Sequence, residues 1–343
     1  MTPSFPLNFF VCPHCYSALE AQQQALYCPV CTQAYPEVFP HIYDLRWPRP
    51  APNPEVGALV EKMKAAFNQT SFDDLAVLYI KNLRHGENLP KNLSSHYIQY
   101  MQNNQARGQR MVEMFQTRLS QFYQAAAGGQ NALDLGCGSG ASLVVLARHF
   151  QQVIGLDPNL TSLIMSAKLL ESEGLHNVQL VQAYGQHIPC QSASLDRISA
   201  LNVIEHVFDL DSVLDEVTRL LRPNGMFVGD SRNRYDLFFR EPHVKLRWVG
   251  MLPRTWARRY VRWRLGTEYD HTLLFSWFDL RRAFNRRFPR RYRILFPGVA
   301  AYGGPPWFER LTSALERLPW LANLALLIFP SHLVLARQAG AGE

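Results

Sequence analysis

Asp134-Leu135-Gly136-Cys137-Gly138-Ser139-Gly140 decides how the rest of the 343-residue chain is read. The stretch closes a predicted strand, Ala132-Leu133-Asp134-Leu135, and precedes an apolar helical pattern over residues 142–150. Glycines at alternate positions between a strand and a helix let the backbone turn sharply and approach a ligand at the strand's carboxyl end. A dinucleotide-binding turn would have G-x-G-x-x-G spacing and offer the helix N-terminus to a pyrophosphate. Here the spacing is G-x-G-x-G, and Asp134 stands two residues before the first glycine, where its charge would repel a pyrophosphate. The turn therefore suits a cationic or amine-bearing nucleoside. Val153-Ile154-Gly155-Leu156-Asp157 agrees, being an apolar strand that ends in an acid 21 residues after Gly136. An acid so placed accepts both ribose hydroxyls. The alternative for Asp157 is a plain helix N-cap ahead of Pro158.

Outward from the turn, strand and helix patterns alternate. Helices are expected over 142–150, 161–173 and 210–221, and strands over 132–135, 152–156, 178–181, 197–201, 226–229 and 332–336. Such alternation gives βαβ units around a parallel sheet, so the fold class is α/β and doubly wound, over residues 128–338. Before it, residues 57–127 read as a helical extension, with Val112, Phe115, Leu119 and Phe122 forming one apolar stripe. Pro48, Pro50, Pro52 and Pro54 alternate through residues 46–56, which excludes a helix or central strand there and predicts an extended linker.

Residues 9–45 form a Cys/Pro-rich unit. Cys12-Pro13-His14-Cys15 is followed, twelve residues on, by Cys28-Pro29-Val30-Cys31. Two CxxC knuckles deliver four thiolates tetrahedrally to one Zn²⁺, at about 2.3 Å each. A unit this short buries little core, so metal ligation supplies most of its folding free energy. With all four positions filled by cysteine, the expected zinc is structural, and His14 and His41 are bystanders.

The stretch from Cys28 through Tyr35-Pro36 to Ile42-Tyr43-Asp44-Leu45 resembles the zinc ribbons found beside, or fused to, methyltransferases. Residues 131–229 resemble class I methyltransferases through four ordered motifs: the Asp134–Gly140 turn, Ile188-Pro189-Cys190 through Ser194-Leu195-Asp196-Arg197-Ile198, Leu201-Asn202-Val203-Ile204-Glu205-His206-Val207, and Leu221-Arg222-Pro223-Asn224-Gly225-Met226. The resemblance implies a Rossmann-like, mostly parallel seven-stranded sheet and S-adenosylmethionine as cofactor, a nucleoside with a sulfonium, an amine and no phosphate. It places Asp134, Gly136, Cys137, Gly138, Gly140, Asp157, Pro158, Ala183, Tyr184 and Asn202 around that cofactor. Tyr184 departs from the family, which often has an acid there for the adenine amine. Adenine is then left to backbone groups near residues 183–185 and to packing.

A hydroxyl acceptor needs a base within hydrogen-bond reach. Glu205 and His206 are candidates, and resemblance to ubiquinone-pathway O-methyltransferases adds a divalent metal held by such a pair plus an acid. Asn202 replaces that acid here, and the plainer reading is that the pair caps a helix and shapes the pocket. His243 is a third candidate, for acceptor binding or proton transfer, with Asn233 and Tyr235 as pocket-lining neighbours.

Charge narrows the partners. The net charge is +7, yet residues 232–293, the expected acceptor or cap segment, hold 17 Lys/Arg against 5 Asp/Glu. Within it, Trp256, Tyr260 and Trp263 recur at helical spacing among Arg254, Arg258, Arg259, Arg262 and Arg264. Three readings stand: aromatics packed on the core with arginines in solvent, a contact with membrane or a lipid-linked acceptor, or RNA stacked on the rings. Hydrophobic residues at 47% and charged at 18% exclude a disordered tail protein. No apolar run reaches the ~18–20 residues that span a bilayer. No secretory signal is visible and six cysteines are too few for a disulfide scaffold, so a reducing cytoplasm is expected, with peripheral membrane attachment as a variant. The main expectation is methyl transfer to oxygen or carbon of a small-molecule or lipid-linked acceptor. The alternatives are an rRNA or tRNA methyltransferase whose ribbon contacts RNA, and a non-catalytic cofactor-binding module. The sequence says nothing of oligomeric state.

Overall fold

The computed structural model describes residues 9–342 except 52, 84–92, 208, 242–243, 270–271, 299–305 and 341. Two compact units emerge, Met1–Ile198 and Ser199–Glu343.

In the first unit the ribbon contributes four short strands, β1 (Glu20–Gln22), β2 (Ala25–Tyr27), β3 (Ala34–Phe39) and β4 (Ile42–Asp44), paired antiparallel in that order. The linker ends earlier than expected. Asn53 caps helix α1 (Pro54–Phe67), its side chain accepting from the amides of Glu55 and Val56, and Pro54 sits at the first helical position, where its missing N–H costs nothing. Helices α2 (Phe72–Leu83) and α3 (Leu93–Tyr123) follow. Of the predicted α3 stripe, Val112, Phe115 and Leu119 are buried.

The βαβ pattern then unfolds as read: β5 (Gly129–Leu135), α4 (Ala141–His149), β6 (Phe150–Asp157), α5 (Leu160–Ser172) and β7 (Val178–Gln182). Strands β5, β6 and β7 are parallel. Strand β8 (Leu195–Ala200) lies on the other side of β5 from β6, so strand order reverses at β5. Such a reversal opens a crevice at the strand's carboxyl end. Helix α5 is buried along nearly its whole length, as a helix apolar on all sides must be. Helices α1 and α2 pack on it, with Tyr79 Oη 3.1 Å from Ser162 Oγ.

Eleven strands occur among the described residues where seven were expected. Strands β5 to β11 account for the seven; the ribbon adds the rest, because β4 pairs parallel with β7, Tyr43 against Val181 and Asp44 against Gln182.

The second unit holds a 3-10 turn, Ile204–His206, then α6 (Leu210–Leu220), β9 (Leu221–Arg232), a second 3-10 turn, Val249–Met251, α7 (Arg254–Leu265), α8 (Trp277–Arg287), β10 (Tyr292–Leu295), α9 (Pro306–Glu316), α10 (Pro319–Leu326) and β11 (Ser331–Arg337). Strand β11 runs antiparallel to both β9 and β10. No helix among the described residues is long and apolar enough to cross a membrane.

Candidate active site

The predicted cofactor residues of the first unit converge on the carboxyl ends of β5, β6 and β7. Gly136, Gly138 and Gly140 all have positive φ, at 68°, 54° and 90°. Two of these glycines do different work. A Cβ on Gly140 would meet Ser166 at 3.0–3.1 Å, so that position needs glycine for packing as well as for φ. A Cβ on Gly138 would meet nothing within 4 Å, so Gly138 faces open space. The turn is held by Gly136 and Cys137 amides donating to Leu156 O (2.7 and 3.0 Å), and by Ser166 Oγ donating to Gly138 O (2.7 Å).

Both acids are buried and engaged. Asp134 accepts from the hydroxyl of Ser142 in the first turn of α4, which ties strand, turn and helix together and sets a carboxyl beneath the glycines. Asp157 accepts from the amides of Gly138 (3.0 Å) and Asn159 (2.8 Å). Burial nevertheless pushes its carboxyl up to about 6, against the pull of those two amides. Asp157 is therefore not the helix cap: Asn159 takes that role, accepting from Thr161 N. Cys137 is buried, and desolvation beside Asp157 and Asp134 keeps its thiol neutral.

At the β7 side, Ala183 N donates to Asp157 O (3.3 Å) and His187 N to Tyr184 O (3.1 Å). Pro158 is exposed, its carbonyl accepting from Gln182 Nε2 (2.9 Å). The other amide atom, Gln182 Oε1, is buried with no partner among the described residues. Arg46, just past β4, forms a two-point ion pair with Asp44 (2.8 Å at each contact), and Asp44, with a smaller contribution from Tyr184, holds its guanidinium charged against the cost of burial. Sequence reasoning missed Gln182, Ser142 and Arg46. Arg46 was lost because nothing in a short ribbon sequence tells which strand its last residues will join.

The four cysteines form one cluster, all Sγ atoms within 4.8 Å of one another. Tyr35 Oη lies 3.1 Å from Cys12 Sγ. His14 is stacked on Trp47 at 4.2 Å instead of joining the cluster.

In the second unit, Asn202 takes φ of 50° and its amide donates to buried Asp230 (2.8 Å). The 3-10 turn presents its two candidates differently: Glu205 is buried and His206 exposed. Glu205 O accepts from Leu273 N (2.6 Å). Asn233 is a structural clamp, its Nδ2 donating to the carbonyls of Leu326, Leu327 and Phe329 at 3.3, 3.0 and 2.7 Å, and it also lines a small cleft with Arg234. His243 lies outside the described residues.

Comparison with known proteins meets this geometry. Residues 133–229 match the family described as methyltransferase domain, and residues 6–36 the family described as Trm112p-like protein. The first of these matches takes in the Asp134–Gly140 turn and Asp157. Over 120 residues the chain is 34% identical to methyltransferase GfsG of Streptomyces halstedii, covering 34% of this chain and 41% of that protein. Over 184 residues it is 27% identical to the ubiquinone biosynthesis O-methyltransferase of Nitrobacter winogradskyi, covering 50% of this chain and 70% of that one. The chain thus spans less than half the length of the first of these relatives. Among solved structures it is similar to geranyl diphosphate C-methyltransferase of Streptomyces coelicolor, at 16% identity and a TM-score of 0.46, covering 84% of this chain and 100% of that one.

Proposed function

We propose that the protein transfers a methyl group from S-adenosylmethionine to oxygen or carbon of a small-molecule or lipid-linked acceptor. The observation that carries the reading is the buried Asp134–Ser142 and Asp157–Gly138 pairs around a glycine turn whose middle member faces open space. When bound, S-adenosylmethionine supplies an electrophilic methyl on a good leaving group. The chain's own residues then bind, align and exclude water. Asp157 would accept the ribose hydroxyls, the charge of Asp134 would favour the cationic end, and the residues at the end of β7 (Gln182 to Gly185) would wall the adenine. A quinone-like acceptor is favoured by the name of the Nitrobacter relative, a ubiquinone biosynthesis O-methyltransferase.

For a hydroxyl acceptor, His206 is the candidate base, because it is exposed where its neighbour Glu205 is buried. Glu205, buried beside it, would position the turn, and His243 remains a candidate for acceptor binding. Cys12, Cys15, Cys28 and Cys31 would hold a structural Zn²⁺, four thiolates leaving no position for catalysis. Thiolates of this kind suit a reducing compartment such as the cytoplasm.

Calorimetric titration tests the cofactor. S-adenosylmethionine should bind, and Asp157→Ala or Gly138→Arg should abolish the heat; unchanged binding in both variants, or binding of NAD in its place, would sink the assignment. For the base, His206→Ala should lower kcat toward a hydroxyl acceptor with cofactor affinity unchanged.

A further inference from the structure

Helix α7 faces its surroundings the opposite way from an ordinary surface helix. Its packed side is made of small residues: Ala257 and Val261 are buried against Val244, Val249 and Tyr269. Trp256 and Trp263, seven residues and two turns apart, share the outward side and are 64% and 78% exposed. The core-packed reading of this aromatic stripe is overturned, because only Tyr260 leans on the cluster.

The preceding loop adds to the same module. Phe238, Phe239, Trp248 and Met251 are also exposed. Phe239 and Trp248 line one small cleft with Arg234 and Gly250. Arg247 bonds Phe238 O (3.4 Å), and the Val249–Met251 turn contacts α7. Residues 237–266 carry eight Lys/Arg and a single acid, Glu241. That acid is buried, its carboxylate accepting from Val244 N (2.7 Å), and Arg262 pairs with Glu268 just beyond the segment, so cations remain in clear excess on the surface.

We propose that the outer face of residues 237–266 docks on an anionic lipid bilayer. Large exposed apolar side chains are costly in water and are retained where something covers them. Tryptophans beside arginines match an interface with apolar tails below and negative headgroups above. RNA would use the rings and the cations, since bases stack on aromatics. It would leave Leu237, Met251 and Leu265, all exposed, without a partner, whereas acyl chains cover aliphatic and aromatic groups alike. The surface belongs to the second unit, and the proposal stands whether or not the first unit's cofactor assignment holds.

Flotation of the full chain with vesicles tests it. The protein should rise with vesicles of phosphatidylglycerol and phosphatidylcholine in equal parts and stay behind with phosphatidylcholine alone. The double variant Trp256→Ala, Trp263→Ala should bind the mixed vesicles about tenfold more weakly or worse, while Trp320→Ala, an exposed tryptophan on α10, leaves binding unchanged. Circular dichroism melting of the double variant, expected unchanged because both side chains face solvent, separates lost binding from lost folding. If folding is impaired, quenching of wild-type tryptophan fluorescence by brominated lipid in the same vesicles decides, and its absence refutes the proposal. Failure of the wild type to float with the anionic vesicles, or equal flotation of a folded double variant, overturns the proposal. So does tryptophan-dependent binding of polyuridylate in place of vesicles. Vesicle binding needs no cofactor, so this result and the S-adenosylmethionine titration fail independently.

Discussion

The turn after β5 and helix α7 handle charge in opposite ways. At the turn, Asp134 and Asp157 are buried, and Ser142, Gly138 and Asn159 already hold them. On α7, Arg254, Arg259 and Arg264 stand in solvent beside two bare tryptophans. The first arrangement is fixed before any ligand arrives, which favours one small molecule of defined shape. The second is a long-armed, adjustable surface, which favours a partner without fixed shape. Preorganisation and adaptability thus occupy different parts of one chain.

Four measurements sharpen or break that contrast. The largest effect is expected from Cys28→Ser, since structural zinc contributes about 10–16 kcal/mol to a small site. Bound zinc should fall from one per chain, and residues 9–45 should become open to proteolysis. Next, Asp157→Ala should weaken S-adenosylmethionine at least about a hundredfold, because two hydrogen bonds to a charged acceptor at about 1.5–3 kcal/mol each are lost. Arg259→Ala, on the adaptable surface, should leave that titration unchanged; if it does not, the division of labour is wrong.

Third comes pH. The Asp157 carboxyl stands at about 6 without ligand, and ribose hydroxyls donating to the carboxylate would lower it in the complex. Affinity should therefore be full above about pH 6 and fall by up to about tenfold per unit below it. Asp157→Asn should flatten the profile. The smallest effect is reserved for Arg46→Ala, which removes the ribbon's cation from the neighbourhood of Tyr184. A few-fold loss of cofactor affinity is expected, about that of one hydrogen bond, and no loss would confine the ribbon to a purely architectural role.

Much of the first unit was legible because its constraints leave few solutions. Positive φ at Gly136, Gly138 and Gly140 is a demand that glycine meets without strain, and a pair of CxxC knuckles has one common use. Partners chosen across the fold were not legible. Ser142 reaching Asp134, or Gln182 reaching the Pro158 carbonyl, depends on pairings that local spacing does not encode. The orientation of helix α7 stayed open for another reason. Trp256, Tyr260 and Trp263 form one periodic stripe and Ala257 with Val261 another, and period alone does not say which faces the core. The smaller pair won because Val249 and Tyr269 fill the space against them. The extra strands escaped notice because β1, β2 and β4 are three residues each.

The pairing of β4 with β7 has a consequence for solubility. A parallel sheet that ended at β7 would present a row of unsatisfied amides and carbonyls, a template for aggregation. The ribbon covers that row, with Leu45 N donating to Gln182 O (2.8 Å) beyond the last strand residue. Residues 55–343 expressed alone should accordingly self-associate through the bared flank of β7, so the ribbon acts as a guard against misassembly.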